Sequence, residues 1–175
     1  MKKKIGMFIL CLLSCGMLLS AQNSFERESV LTERLVKGFI DDYKDLFNAL
    51  KKENAGNLLL LSSDDNESVR VIFDKAWKAK PNRKIKRIFD DYDFDRDKGL
   101  YQIVVLQYGI VVYTIEEAFA EIGNDTRSEK QKESDREAFA WLSEIKAQIN
   151  SADCKLIQKY DKELYDIFNR IEEKL

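Results

Sequence analysis

The segment YQIVVLQYGIVVYTIEEAFAEI, residues 101–122, decides the fold class of this chain. It is rich in β-branched residues and has Gly109 in its middle, so a short β-hairpin within residues 101–113 is one interpretation. Its apolar residues nevertheless recur every three or four positions, as on one face of a helix: Val104, Tyr108, Val112, Ile115, Phe119 and Ile122. We therefore predict one long, largely buried helix, with the hairpin as the alternative.

The rest of the chain also has the composition and the periodicity of a helical protein. After residue 21 it contains one proline, Pro81, and five glycines, whereas Glu, Lys, Leu, Ile and Ala are frequent. Amphipathic helices are predicted for five further segments: residues 25–52, 65–78, 81–92, 134–150 and 157–171. Together these segments predict an all-α fold, a single compact bundle of about five or six helices.

The last two predicted helices are expected to pack against each other. Ser134 followed by Glu137 forms a capping box at the start of the first one, and residues 151–153 supply a turn after it. In the second one, apolar residues follow a heptad pattern: Ile157, Tyr160, Leu164, Ile167 and Ile171. A short connection beside an apolar seam predicts that the bundle ends in an antiparallel helical hairpin.

The first 21 residues have the three parts of a secretory signal peptide. Lysines at positions 2–4 precede an apolar run, and the small residues Ser20 and Ala21 precede the polar Gln22. The apolar run is shorter than the roughly 20 residues that cross a bilayer. We expect cleavage after Ala21, which leaves residues 22–175 as a single helical domain without a transmembrane segment. The chain then resembles a bacterial exported protein, either periplasmic or secreted.

A second cleavage site is the alternative. The string Leu12-Leu13-Ser14-Cys15 resembles the lipobox of bacterial lipoproteins, and this resemblance implies a lipid on Cys15 and a membrane-tethered protein. If cleavage instead follows Ala21, Cys154 is the only cysteine that remains. An intrachain disulfide is then impossible, so the stability of the domain must come from its hydrophobic core.

The composition excludes several classes of function. The chain contains no histidine, which removes histidine-dependent nucleophiles, histidine-ligated zinc, and haem or di-iron sites built on histidine. It also has no glycine-rich phosphate loop. The net charge is −2, and it becomes about −5 once the three lysines of residues 1–21 are removed. This acidic balance argues against nucleic acid as a ligand.

Aspartates at every second position, in DYDFDRDKG at residues 91–99, form the most distinctive local pattern. Four carboxylates are available: Asp91, Asp93, Asp95 and Asp97. Carboxylate oxygens suit a hard cation such as Ca²⁺, and the spacing resembles an EF-hand loop. The glycine comes one position late, at Gly99, and Val104 stands where a bidentate Glu is expected. The alternative is an acidic, solvated connection between helices that binds no cofactor.

A basic stretch lies directly before these aspartates, with Trp77 nearby. Its candidate binding residues are Lys80, Arg83, Lys84, Lys86 and Arg87. Such a patch can hold an anionic surface, a lipid headgroup or a glycan. The alternative is a solvated face that the following aspartates balance.

These observations favour a non-enzymatic helical protein that binds an unknown protein or another component of the cell envelope. The basic stretch is the predicted contact surface. A Ca²⁺-dependent module built on the aspartates is one alternative. A carboxylate-dependent hydrolase is another, because paired Asp or Glu residues can act as general acid and base.

Overall fold

The computed structural model describes residues 27–55, 68–121 and 129–172. The predicted signal peptide, both cleavage sites and Cys15 lie outside the described residues. Within the described ranges the chain forms helices and no strands, so the all-α prediction is confirmed for this part of the chain. The helices are α1 Glu33–Lys52, α2 Val69–Lys78, α3 Arg83–Asp91, α4 Gly99–Glu121, α5 Glu129–Lys146, α6 Ser151–Lys159 and α7 Asp161–Glu172.

Helix α4 passes through the core and contacts α2, α5, α6 and α7. It includes residues 101–113, so the predicted long helix is confirmed there and the β-hairpin alternative is wrong. The stretch Gly99–Glu117 is long and apolar enough to cross a membrane, but 61% of it is buried inside the structure. The central helix of a soluble domain has the same composition. Packing on four neighbouring helices therefore accounts for the apolar character of α4.

The glycine in the middle of α4 allows a close helix contact and does not make a turn. Gly109 is buried, and a Cβ at this position would clash with Cδ1 of Ile157 on α6. A residue without a side chain therefore lets the two helices approach closely. Gly109 therefore marks a close contact between α4 and α6 within the β-branched residues of this segment.

The first helix begins later than its periodicity predicts. Residues 27–32 are not helical, and the Thr32 hydroxyl caps α1 by accepting a hydrogen bond from the Leu35 amide at 3.2 Å. Below we call residues 27–32 the strap. Arg27 in the strap is only 8% exposed and donates to the Phe73 carbonyl at 3.1 Å. It also pairs with Asp74, so the strap is bound to α2.

The other end of the strap is held by a buried carboxylate. Asp153, in the first turn of α6, is only 1% exposed. It accepts hydrogen bonds from the Ser29 hydroxyl at 2.7 Å and from the amides of Val30 and Leu31, each at 3.0 Å. The strap therefore connects α2 with α6 and positions the start of α1.

The last predicted helix is divided in two. Helix α6 ends before Tyr160 and α7 begins at Asp161, so the heptad pattern continues across a break in the helix. Both helices contact α4 and each other, and α7 also contacts α1. Helix α5 contacts α2 and α4. The antiparallel terminal hairpin and the arrangement as one bundle stay predictions.

Candidate functional site

The basic stretch is presented by α3 and by the connection that precedes it. The Asn82 side chain caps α3 by accepting hydrogen bonds from the amides of Lys84 at 2.9 Å and Ile85 at 3.0 Å. Ile85 and Phe89 are buried in the core, which fixes the orientation of this short helix. The other side of α3 therefore carries Arg83, Lys84, Lys86 and Arg87, and Lys80 lies in the connection before the helix.

An open groove lies where the end of α2, the connection to α3, α3 itself and the turn before α4 meet. Its volume is about 670 Å³, and we call it the Trp77 groove. Its lining consists of Trp77, Lys78, Ala79, Lys80, Lys86, Asp97 and Lys98. Four of these residues are lysines and one is acidic, so the lining carries more positive than negative charge.

Two of the lysines are held in place inside the groove. The Lys98 ammonium lies 4.7 Å from the centre of the Trp77 ring and 3.3 Å from a carboxylate oxygen of Glu28 in the strap. Lys86 forms an ion pair with Asp97, and its hydrogen bond lowers the pKa of that carboxyl below its usual range. The groove therefore contains ordered cations beside the half-buried indole of Trp77.

The structure brings together only part of the predicted basic surface. Lys80 and Lys86 line the groove, whereas Arg83, Lys84 and Arg87 are exposed on α3 outside its lining. Lys84 instead pairs with Glu53 at the end of α1, at 2.8 Å.

Sequence reasoning missed Lys98 because this residue belongs to the aspartate-rich segment. The sequence pattern presents that segment as a motif separate from the basic stretch. Only the packing of the start of α4 beside α2 and α3 joins the two. The only feature of the sequence that could have added Lys98 to the basic surface was its positive charge, since it is the one basic residue after Arg96 and before α4.

The four predicted calcium ligands have different partners. Asp93 accepts two hydrogen bonds from Arg34, from Nε at 3.0 Å and from Nη2 at 2.8 Å. Asp95 accepts from the amides of Asp97 at 2.8 Å and Lys98 at 2.7 Å, and thereby orders the turn before α4. Among the described residues, no group of three or more Asp, Glu or Cys side chains is placed to hold a metal ion.

Asp91 lies beside other aspartates, Asp42 and Asp45, near Tyr92. Asp91 lies near the Tyr92 hydroxyl, whose pKa is raised by burial and by the charges of Asp45, Asp42 and Asp91. Asp97 is paired with Lys86 as described above. The structure therefore places Asp91, Asp93, Asp95 and Asp97 in separate interactions, and Ca²⁺ binding by these residues stays a hypothesis.

The glycine that follows the aspartates has a packing role. In an EF-hand loop the glycine permits a sharp turn. Gly99 instead starts α4 without a positive φ, and a Cβ here would lie 2.5 Å from a ring carbon of Phe89. The close contact with Phe89 thus explains Gly99 without a bound cation.

Two ionisable groups outside the groove, Glu33 and Cys154, have pKa values shifted from their usual range. The pKa of Glu33 is lowered to about 2 by hydrogen bonds from Tyr160, Lys159 and Lys37. A carboxylate held this far in its ionised form is a poor general acid or base near neutral pH. Burial raises the pKa of the Cys154 thiol, which weakens it as a nucleophile.

Comparison of the chain with models of known protein families, with curated proteins and with solved structures found no match. The functional interpretation therefore depends on the geometry of the Trp77 groove and on the sequence.

Proposed function

We propose that the protein is a non-enzymatic binding module of a bacterial cell envelope or of the secreted space. It contacts an acidic macromolecule, a protein or another envelope component, through the Trp77 groove. The basic residues Arg83, Lys84 and Arg87 of α3 extend this contact surface beside the groove. The proposal includes export by the N-terminal signal peptide and a single bundle in which α5 runs antiparallel to α6 and α7.

One observation carries the binding proposal. Four lysines from different segments line one groove together with a half-buried indole, on a chain whose net charge is −2. A positive groove on an acidic molecule steers acidic partners toward that groove and repels them from the rest of the surface. Tryptophan is enriched among the residues that dominate binding energy at interfaces, so Trp77 is the expected apolar anchor.

The experiment is an in-cell crosslinking pull-down of the tagged full-length protein, read by mass spectrometry. The test variant carries Lys80→Gln, Lys86→Gln and Arg87→Gln. The control variant carries Lys44→Gln, Lys155→Gln and Lys162→Gln, which removes the same charge from exposed lysines outside the groove. We expect one reproducible partner that the test variant loses and the control variant keeps.

Two outcomes would contradict the proposal. If both variants keep the partner, the contact surface lies elsewhere. If the unmodified protein yields no partner, the macromolecule-binding function is refuted. Thermal melts of all three proteins show whether a lost partner reflects a changed surface or an unfolded chain.

Export has its own test. Mass spectrometry of the protein recovered from cells should find Gln22 at the N-terminus, in the periplasm or the medium. A lipidated Cys15 at the N-terminus would support the lipoprotein alternative. A cytoplasmic protein that keeps Met1 would refute export.

A further inference from the structure

The Trp77 groove continues into a second groove on the outer side of α2. The second groove has a volume of about 460 Å³ and shares Lys78 and Ala79 with the first one. On α3, the exposed Arg83 lies one turn before Lys86, which lines the Trp77 groove, and Arg87 directly follows it. The outer side of α2, the connection to α3 and the exposed side of α3 therefore form one surface, which we call the basic face.

Ion pairs neutralise only part of the charge on the basic face. Three carboxylates at this face each have a cation as partner: Asp97 with Lys86, Glu28 with Lys98, and Asp74 with Arg27. These pairs add no net charge. Four exposed cations of the face form no ion pair with any described residue: Lys78, Lys80, Arg83 and Arg87. The basic face therefore keeps four positive charges that no described carboxylate balances.

The polypeptide enters the domain at the edge of the basic face. The Arg27 guanidinium lies 6.0 Å from the centre of the Trp77 ring, and Glu28 contacts Lys98 at 3.3 Å. The predicted signal peptide precedes these residues, and the chain from Cys15 to Arg27 spans at most about 45 Å when fully extended. With either predicted cleavage site, the part of the chain that contacts the membrane during the proposed export is therefore joined to the domain next to this face.

We propose that the basic face docks on the anionic surface of a lipid bilayer, with its four unpaired cations at the headgroups and the Trp77 indole at the interface. The inference rests on the proposed function and names the envelope component that this face contacts. Each Lys or Arg near an anionic bilayer strengthens binding, and a long side chain lets the charged group reach the headgroups. Tryptophan is enriched at the same interface.

The charge of the remaining surface orients the domain on the bilayer. The whole chain has a net charge of −2, so the surface outside the basic face is acidic. An anionic bilayer repels that surface and attracts the basic face. The domain should therefore bind in one orientation, with α2 and α3 toward the lipid.

Two common modes of peptide recognition do not fit the basic face. The described ranges contain no strand, so they offer no sheet edge to which a peptide could add. An amphipathic helix binds through a row of apolar anchors in an apolar groove. The apolar side chains in the two linings are Val71, Trp77 and Ala79, and the other lining residues are charged. A bilayer surface needs no such row of apolar contacts.

Removing unpaired cations should weaken membrane binding in proportion to their number. Each of these cations contributes about fivefold to the affinity, so the test variant Lys78→Gln, Lys80→Gln and Arg83→Gln should bind about a hundredfold more weakly. All three side chains are exposed, so these changes should leave the fold intact. The control variant removes the same charge from exposed lysines outside both linings, and should bind like the unmodified protein: Lys44→Gln, Lys155→Gln and Lys162→Gln.

The experiment is co-sedimentation with phosphatidylcholine vesicles that contain or lack phosphatidylglycerol. The full-length chain is expressed with Cys15→Ser in every variant, so that a lipid on Cys15 cannot contribute. We expect binding that requires phosphatidylglycerol, falls as salt rises and is lost in the test variant alone. Thermal melts of the three proteins identify any variant that has lost its fold.

The orientation is tested with the two tryptophans of the chain, Trp77 and Trp141. Trp141 lies on α5 outside both linings and is 38% exposed, which is more than Trp77. Trp141→Phe leaves Trp77 as the reporter, and Trp77→Phe leaves Trp141 as its control. A nitroxide-labelled headgroup in the vesicles should quench the fluorescence of Trp77 more strongly than that of Trp141.

Several results would overturn the inference. Binding that does not need phosphatidylglycerol, or that the test and control variants lose equally, would show that the basic face does not recognise an anionic bilayer. Stronger quenching of Trp141 would assign the contact to another face. A polyglutamate peptide that binds through Lys80 when the vesicles do not would assign the basic face to acidic proteins.

The outcome is distinguishable from failure of the proposed function. If vesicles do not bind but the crosslinked partner still depends on Lys80 and Lys86, the membrane inference is wrong and the proposed function stands. If the partner is independent of the groove as well, both proposals fail. A domain held on the bilayer meets membrane proteins first, so we expect to recover the crosslinked partner from the membrane fraction.

Discussion

Replacing Gly99 with alanine should destabilise the fold, because the start of α4 packs directly on the ring of Phe89. A Cβ at residue 99 would lie 2.5 Å from Cδ2 and 2.7 Å from Cγ of that ring. Phe89 is fully buried, so the ring cannot move aside without disturbing the surrounding core. Overpacking of this kind lowers the free energy of unfolding by about 1–3 kcal/mol.

Gly38 provides a control with the opposite sign. It lies within α1, and a Cβ at this position would meet no atom within 4 Å. Alanine is favoured over glycine inside a helix by about 0.5–1 kcal/mol. Gly38→Ala should therefore stabilise the protein by about that amount, although the chemical change is the same as in Gly99→Ala.

The assay is urea unfolding followed by circular dichroism, with the midpoint and the slope fitted separately. We expect a lower midpoint for Gly99→Ala, a higher one for Gly38→Ala, and an unchanged slope for both. A Gly99→Ala protein as stable as the unmodified protein would refute the packing role of this glycine. Stabilisation by both substitutions would show that helix propensity alone decides the effect.

Three further predictions concern the strap, Glu33 and calcium. Asp153→Ala leaves the strap amides without an acceptor and should lower the unfolding free energy by about 2–4 kcal/mol, measured by urea unfolding; an unchanged midpoint would show that the strap contributes nothing. The pKa of Glu33 is lowered from 4.5 to about 2, so its stabilising effect is fully present above pH 4.5 and is lost as the pH falls through 2. Melts across this range should show a larger loss for the unmodified protein than for Glu33→Gln, and equal losses would contradict this role. Millimolar Ca²⁺ and a chelator should give the same melting midpoint, because the four aspartates have separate partners; a higher midpoint with Ca²⁺ would support the calcium hypothesis.

The helices were predictable because hydrophobic periodicity reflects which face of a segment is buried. In residues 101–121 this periodicity was more informative than β-propensity, because tertiary packing overrides the intrinsic preference of valine and isoleucine. The periodicity did not reveal the break between α6 and α7. Tyr160 keeps the apolar spacing on both sides, although its backbone leaves the helical conformation.

The strap could not be predicted from local patterns. Arg27 and Asp153 are charged residues, which a sequence pattern assigns to the surface, and both are buried by partners far away in the chain. The helix predicted for residues 81–92 begins at Pro81, but Asn82 caps α3 and places the proline before the cap. In the strap and at the start of α3, specific hydrogen bonds determine the local structure, and these bonds cannot be predicted from amino-acid composition.

The candidate site was only partly predictable, because a sequence pattern detects residues that are close along the chain and not those brought together by packing. The density of lysines pointed to Lys80 and Lys86, because like charges close in sequence are also close on a short helix and its connection. Lys98 comes from the turn directly before α4, and its place in the groove depends on how three helices pack. A one-dimensional pattern contains no signal for that proximity.

The strap also imposes an order on folding during synthesis. Its hydrogen bonds with Asn150 and Asp153 join residues 122–124 positions apart in the chain. Contacts between distant residues form late, and these cannot form until the ribosome has made residue 153. Arg27 can reach Phe73 and Asp74 earlier, but the strap residues Ser29, Val30 and Leu31 lack their acceptor Asp153 for most of translation. A chain that must cross a membrane before it folds benefits from this delay, so the topology of the strap is compatible with the proposed export.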